Sequence, residues 1–127
     1  MVSRLDDGTI WMGTRKGGLY LYDENFQLKY VKKDFHSNIY AMRKDAEGKI
    51  WMGTRGDGLM IDNVWYKHQD SDAASLANDN IFCIYKDKKD RMWIGTFGGG
   101  LDLAIKTDKG YRFKHFLNGS YGQRQIG

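Results

Sequence analysis

Apolar residues fall in short runs separated by polar, glycine-bearing turns, and no 3.6-residue period runs along the chain. The runs "IWMG" at 10–13, "IWMGT" at 50–54 and "MWIGT" at 92–96 place apolar side chains at consecutive positions, which predicts strands buried on both faces. A glycine-rich turn and a second apolar run follow each of them: "WMGTRKGGLYL" at 11–21, "WMGTRGDGLMI" at 51–61 and "WIGTFGGGLDL" at 93–103. The tryptophans Trp11, Trp51 and Trp93 stand 40 and 42 residues apart. A period near 40 made of short strands and turns is the spacing of propeller blades.

The third unit is written most fully. "NIFCIYKD" reads as its first strand, "RMWIGTF" as the second, "LDLAIK" as the third and "YRFKHFL" as the fourth. The middle unit repeats this as "NIYAMRKD", "KIWMGTR", "GLMID" and "VWYKHQ". The first keeps only part of an opening strand in "VSRLDDG", then "TIWMGTR", "GLYLYD" and "QLKYVKK". The expected class is all-β: about three four-stranded antiparallel β-propeller blades, at 1–33 (first strand truncated), 34–75 and 76–117. Residues 118–127 read as a tail or the start of a missing blade. Closed propellers take four to eight blades, so three units read as an incomplete part of a larger ring. The remaining blades, or self-association, would cover the open apolar faces. The structural repeat comprises Trp11, Trp51 and Trp93, Gly13, Gly53 and Gly95, and Thr14, Thr54 and Thr96. Each tryptophan suits the wedge between blades, and its indole N–H requires an acceptor.

Composition narrows the picture. Of 127 residues 41% are hydrophobic and 14% aromatic, which suits β-structure, and with no proline the turns fall to glycine, asparagine and aspartate. The net charge of +4 is spread without a basic stripe, so nucleic acid is not an expected partner. No stretch approaches the roughly 20 apolar residues of a membrane span. "VSRLDD" after Met1 is no signal peptide, and the shortened first unit suggests a piece of something longer. The lone Cys83 in "NIFCIYKD" is expected to be a packed small hydrophobe.

Catalytic and metal chemistry find little support. The glycine clusters lie between two strands, whereas a phosphate cradle needs a strand, a glycine loop and then a helix. They read as hairpin turns. His36, His68 and His115 lack a short metal-ligand spacing, and the similar settings of His68 in "WYKHQ" and His115 in "RFKHF" read as architecture. Asp6 and Asp7, Asp45 and Glu47, and Asp87 and Asp90 recur at the first hairpin of each unit, which suggests Asx-type turns. No nucleophile–base–orienter set can be assembled, so no enzyme, cofactor or metal is expected.

In a four-stranded meander the turns between second and third strands share a face with the links between blades. That face would carry Arg15 and Lys16, Arg55 and Asp57, Phe97, His36 and the link at 70–80. Arg15 and Arg55 hold equivalent repeat positions, and Phe97 replaces the basic residue in the third unit. Arg15, Arg55, Phe97, His36 and Asp57 are therefore the ligand-binding candidates. Guanidinium forks beside an aromatic ring suit an acidic or sulfated sugar. Each also reads as a solvated turn residue, and Phe97 as packing against a neighbouring blade.

The pattern N-I-x-x-(I/M)-x-K-D followed by W-(I/M)-G-T-x-x-x-G-L resembles the two-component regulator propeller repeat. It is carried by Asn80, Ile81, Asp87, Trp93, Ile94, Gly95, Thr96, Gly99, Gly100 and Leu101. It recurs at Asn38, Ile39, Asp45, Trp51, Gly53, Thr54, Gly58 and Leu59, and at Trp11, Gly13, Thr14, Gly17, Gly18 and Leu19. The resemblance implies seven-bladed propellers in the periplasmic sensor region of hybrid two-component systems of Bacteroides-type bacteria. It implies a non-catalytic fragment detecting an oligosaccharide, with histidine kinase activity elsewhere in the parent. The alternative is a structural or protein-interaction segment without its own ligand site.

Overall fold

Three sheets answer to the three tryptophan-bearing segments. The computed structural model describes residues 2–4, 10–13, 18–32 and 37–116. The first sheet comprises β1 (Val2–Arg4), β2 (Ile10–Gly13), β3 (Leu19–Tyr22) and β4 (Leu28–Lys32). The second comprises β5 (Ile39–Lys44), β6 (Ile50–Thr54), β7 (Leu59–Ile61) and β8 (Val64–Tyr66). The third comprises β9 (Ile81–Lys86), β10 (Met92–Thr96), β11 (Gly100–Thr107) and β12 (Gly110–Phe116). Strands neighbour one another in chain order within each sheet, which is the meander of a propeller blade. The class is all-β, and among the described residues no helix is long and apolar enough to cross a membrane. Residues 118–127, and with them the expected tail, lie outside the described residues.

The chain forms two compact units, Met1–Ile39 and Tyr40–Gly127. In the first, Trp11, Leu19 and Leu21 are buried. Asp23 shapes the turn before β4, its Oδ1 accepting the N–H groups of Asn25 and Gln27 at 2.9 Å each.

The second unit holds a core shared by two sheets. Trp51, Leu59 and Ile61 pack with Leu76, Ile81, Ile84, Met92, Ile94 and Phe113. Trp51 also meets the Tyr111 ring edge-on at 5.0 Å. Gly53 makes the close approach of the two sheets feasible, because a Cβ there would lie 2.4 Å from Ile81 Cγ2. Trp51 and Met52 are both buried although they point to opposite faces of β6, as the unbroken apolar run requires.

One aspartate organises each first hairpin of this unit. Asp45 Oδ1 accepts the N–H groups of Glu47 and Lys49 at 2.9 Å, while Oδ2 accepts the Trp51 indole N–H at 2.9 Å. Asp87 repeats this with Lys89 at 2.9 Å, Arg91 at 3.0 Å and the Trp93 indole at 2.9 Å. The Trp93 N–H, backed by the turn amides and Arg91, holds the Asp87 carboxyl well below the usual carboxylate range. Asp90 takes a positive φ of 61° where Gly48 has 85°, a place aspartate can occupy. In the first unit the residue six before the tryptophan is Leu5, and the buried Trp11 N–H has no partner among the described residues.

Two sequence expectations need correction. Cys83 is exposed, not packed. The ladder between β10 and β9 shifts register: Gly95 pairs with Cys83 and Thr96 with Ile81, so Phe82 is the extra residue of a bulge. Ile81 and Ile84 then both face the core, and Phe82 and Cys83 are turned out. The second correction concerns "VWYKHQ", of which only Val64–Tyr66 is strand. Beyond it the main chain is claimed by the following link: Asp79 Oδ1 accepts the His68 N–H at 2.7 Å and Ser75 Oγ accepts that of Gln69 at 2.9 Å.

Candidate functional site

The turns after β6 and β10 are closed by the threonine that ends each strand. Thr54 Oγ1 donates to the Gly58 carbonyl at 2.7 Å and accepts the Asp57 N–H at 3.1 Å. Thr96 Oγ1 donates to the Gly100 carbonyl at 2.8 Å. Positive φ at Gly56, Gly58, Gly98 and Gly100 completes both turns, so the glycine clusters are hairpin geometry.

These turns carry Arg55, Asp57 and Phe97, all exposed. The main chain brings them to a common neighbour. Arg55 forms an isolated bridge with Asn80, and the Asn80 carbonyl accepts the Phe97 N–H at 3.0 Å. The Asp79 carbonyl accepts the N–H groups of Gly56 and Gly58, at 3.2 and 3.0 Å, on either side of Asp57. Arg15 and His36 lie outside the described residues, as does Thr14.

Arg55 and Phe97 each rest on an aromatic ring of their own sheet. Arg55 Nη1 donates to the Tyr40 hydroxyl at 3.1 Å, with the guanidinium carbon 6.0 Å from the ring centroid. Phe97 lies 5.0 Å from Phe82 between centroids, so it folds onto its own blade. Tyr40 and Phe82 both follow the Asn-Ile pair that opens their units, so the two contacts are one repeat-equivalent device with different chemistry. Tyr85 stands further along β9 and is 56% exposed. Sequence reasoning missed Tyr40, Phe82 and Tyr85, since it drew the candidates from the turns and links and assigned the opening strands no outward face.

The link at 70–80 divides between two places. Asn80 and Asp79 reach the turns just described. The middle of the link instead packs against β12, with the Ala74 carbonyl accepting the Phe113 N–H at 2.9 Å. Arg112 binds Asp72 there through both terminal nitrogens, at 2.8 and 2.5 Å, and holds that carboxyl below its ordinary value. Beside it lies a groove of about 560 Å³ lined by Trp65, Tyr66, Lys109, Tyr111 and Arg112. A smaller hollow of about 210 Å³ sits at the aspartate hairpins near Glu47, Lys106 and Tyr111. Lys106 Nζ donates to Glu47 there at 2.8 Å.

His68 and His115 both face the link, although only His115 lies within a strand. Among the described residues no group of three or more histidine, cysteine, aspartate or glutamate side chains is arranged to hold a metal.

The repeat pattern and the architecture have counterparts. Residues 34–56 and 75–98 match the two component regulator propeller family. No curated protein gives a significant match to the sequence. Among solved structures, the extracellular domain of the hybrid two component system BT4673 from B. thetaiotaomicron superposes with a TM-score of 0.65, at 25% identity over 84% of this chain. The corresponding domain of the hybrid two component system BT3049 from the same organism gives 0.64, at 22% identity over 93% of the chain. The chain spans only 15% and 17% of those two structures. Residues 34–56 and 75–98 thus match two-component regulator propeller repeats, within an all-β chain of four-stranded propeller blades.

Proposed function

We propose that these blades belong to the extracellular or periplasmic sensing propeller of a hybrid two-component system and contact an oligosaccharide through the turns after β6 and β10. The observation that carries this reading is the repeat-equivalent pair of exposed contacts, Arg55 on Tyr40 and Phe97 on Phe82. One offers a guanidinium beside a ring and the other two tilted rings. Together they suit a ligand with an acidic or sulfated group and an apolar sugar face. Similarity to extracellular domains of hybrid two component systems supports the sensing role and the location. In this reading 1–33, 34–75 and 76–117 are three blades of a seven-bladed ring, 118–127 is a tail or the start of a missing blade, and the kinase lies elsewhere in the parent. Asp57 borders the same turns.

The test is a thermal-shift screen of the chain and its parent propeller against neutral, uronic and sulfated oligosaccharides. A dose-dependent rise for one class, weakened by Arg55→Ala or Phe97→Ala, supports the site. A rise unaffected by either change moves the site elsewhere in the ring. Silence across the screen favours a structural or protein-interaction segment.

A further inference from the structure

The link from β8 to β9 is fastened to its surroundings by side chains of two kinds. Near its middle the fastening is permanent around neutral pH: Arg112 grips Asp72, and Ser75 Oγ donates within the turn to the Asp72 carbonyl at 2.8 Å. Beside it the Ala74 carbonyl accepts the Phe113 N–H, and two further fastenings are imidazoles. His115 on β12 places Nε2 2.9 Å from the Ala73 carbonyl and Nδ1 2.5 Å from Asp102 Oδ1. Asp102, on β11, is fully buried, and its Oδ2 accepts the Ala77 N–H at 2.8 Å. His68 places Nδ1 2.8 Å from the Leu76 carbonyl and Nε2 2.7 Å from Asp70 Oδ1.

A carbonyl oxygen only accepts, so in both rings the nitrogen facing the link carries a hydrogen. The other nitrogen of each ring faces a carboxylate, which also only accepts when ionised. The His115–Asp102 contact therefore exists only while one proton lies between the two groups. With one proton fewer, His115 cannot keep both contacts: its remaining lone pair faces either the buried Asp102 carboxylate or the Ala73 carbonyl, and burial makes the first costly. His68 and Asp70 obey the same rule more softly, since the Asp70 side chain is fully exposed and can turn away.

We propose that this link is a proton-operated latch: it is closed while the His115–Asp102 pair and His68 keep their second proton, and it loosens at the Ala73 and Leu76 carbonyls and the Ala77 amide when they lose it, with the Arg112–Asp72 end, which holds the Ala74 and Ser75 amides, staying fastened. The surroundings favour the closed form. His115 faces Asp102 from β11, with Arg112 and Lys114 on its own strand and Arg112 already engaged by Asp72. His68 senses Asp70 and Asp79 of the link, and Asp102 in turn senses both imidazoles. Burial pushes the Asp102 carboxyl up, and the Leu76 carbonyl and Asp70 push the His68 imidazole up. The latch ends at Asp79 and Asn80, whose carbonyls hold the turns bearing Arg55, Asp57 and Phe97. That it tunes a ligand site rests on the sensing reading above; the latch itself does not.

The test is amide hydrogen exchange on the full 127-residue chain at about pH 5.5 and about pH 9, corrected for the intrinsic rate. The Ala77 amide, whose acceptor is Asp102, is expected to lose protection several-fold at the higher pH relative to β10, while the Ala74 and Ser75 amides, which donate to Asp72, keep theirs. Asp102→Asn can donate from its amide to neutral His115 while its oxygen still accepts the Ala77 N–H. It is expected to keep the Ala77 amide protected at high pH and to abolish the pH dependence. An Ala77 amide that tracks β10 at every pH overturns the latch, as does an Asp102→Asn chain as pH-sensitive as the original. Should that variant not fold, nitrogen chemical shifts of the His115 and His68 rings in the unchanged chain decide instead. Ring titration coincident with loss of Ala77 protection supports the latch, and titration without it overturns it. No saccharide enters either experiment, so failure here is distinct from failure of the sensing reading.

Discussion

Arg55 Nη1 donates to the Tyr40 hydroxyl at 3.1 Å, joining the turn after β6 to the strand that opens the same blade. Both residues are exposed, so this contact orients the guanidinium more than it stabilises the fold. Tyr40→Phe keeps the ring and removes the acceptor. Urea denaturation should show a change within about 0.5 kcal/mol, while any thermal shift produced by an acidic saccharide should shrink.

Asp45 does more for stability than its polar surface suggests. It closes the hairpin and also satisfies the indole of a tryptophan that is 1% exposed. Asp45→Ala leaves that N–H buried and unpaired, and is expected to cost about 1–3 kcal/mol. Urea denaturation followed by tryptophan fluorescence measures the loss, and a cost below about 0.5 kcal/mol would show that water replaces the carboxylate.

The first unit offers the inverse experiment. Leu5 occupies the sequence position of Asp45 and Asp87, and the Trp11 N–H has no partner among the described residues. Leu5→Asp should gain about 1 kcal/mol by supplying the acceptor. A loss instead would mean that Leu5 contributes more as an apolar side chain.

Gly53 and Gly98 separate two reasons for glycine. A Cβ at Gly53 would press on Ile81 across the interface between sheets, whereas one at Gly98 meets nothing within 4 Å but must accept a φ of 77°. Gly53→Ala should cost about 1–3 kcal/mol through overpacking. Gly98→Ala should cost about 1–2 kcal/mol through backbone strain alone. Only the first should shift the near-ultraviolet circular dichroism of the aromatic core.

Stability should fall on both sides of a mildly acidic optimum. The folded chain raises His68 above its ordinary 6.5, so that contribution is complete below 6.5 and is lost as pH rises through the folded value. Asp102, raised by burial from 3.8, acts in the same direction, since the folded chain binds that proton more tightly. Asp23, Asp72, Asp87 and Glu47 are lowered, so their contributions are present above their ordinary values and are lost as pH falls through the folded ones. Melting temperature against pH measures both limbs, and His68→Gln should flatten the alkaline one.

The blades were legible because the tryptophan spacing, the doubly apolar second strands and the glycine turns all express backbone and packing demands that repeat. Arg55, Asp57 and Phe97 could be named because a repeat aligns its own turns. Their aromatic supports could not, since the bulge at Phe82 breaks the two-residue alternation that would have marked Phe82 and Cys83 as facing outward. The Asp102–His115 pair was hidden for another reason. It joins residues 13 apart on neighbouring strands to a link more than 20 residues away in sequence, and no local pattern encodes that meeting.

The threonine closure of the two turns has a consequence for how such a chain can diversify. Thr54 and Thr96 close their turns through a hydroxyl and main-chain atoms, so the side chain immediately after each threonine is spared any part in closing the hairpin. One copy places arginine there and the other phenylalanine, and both hairpins form. A duplicated unit therefore inherits its shape from the threonine and glycines and is free to mutate at one outward position without penalty to folding. Across a ring of copies, that single variable position per blade is an alphabet from which selection can write new surface chemistry onto an unchanged frame.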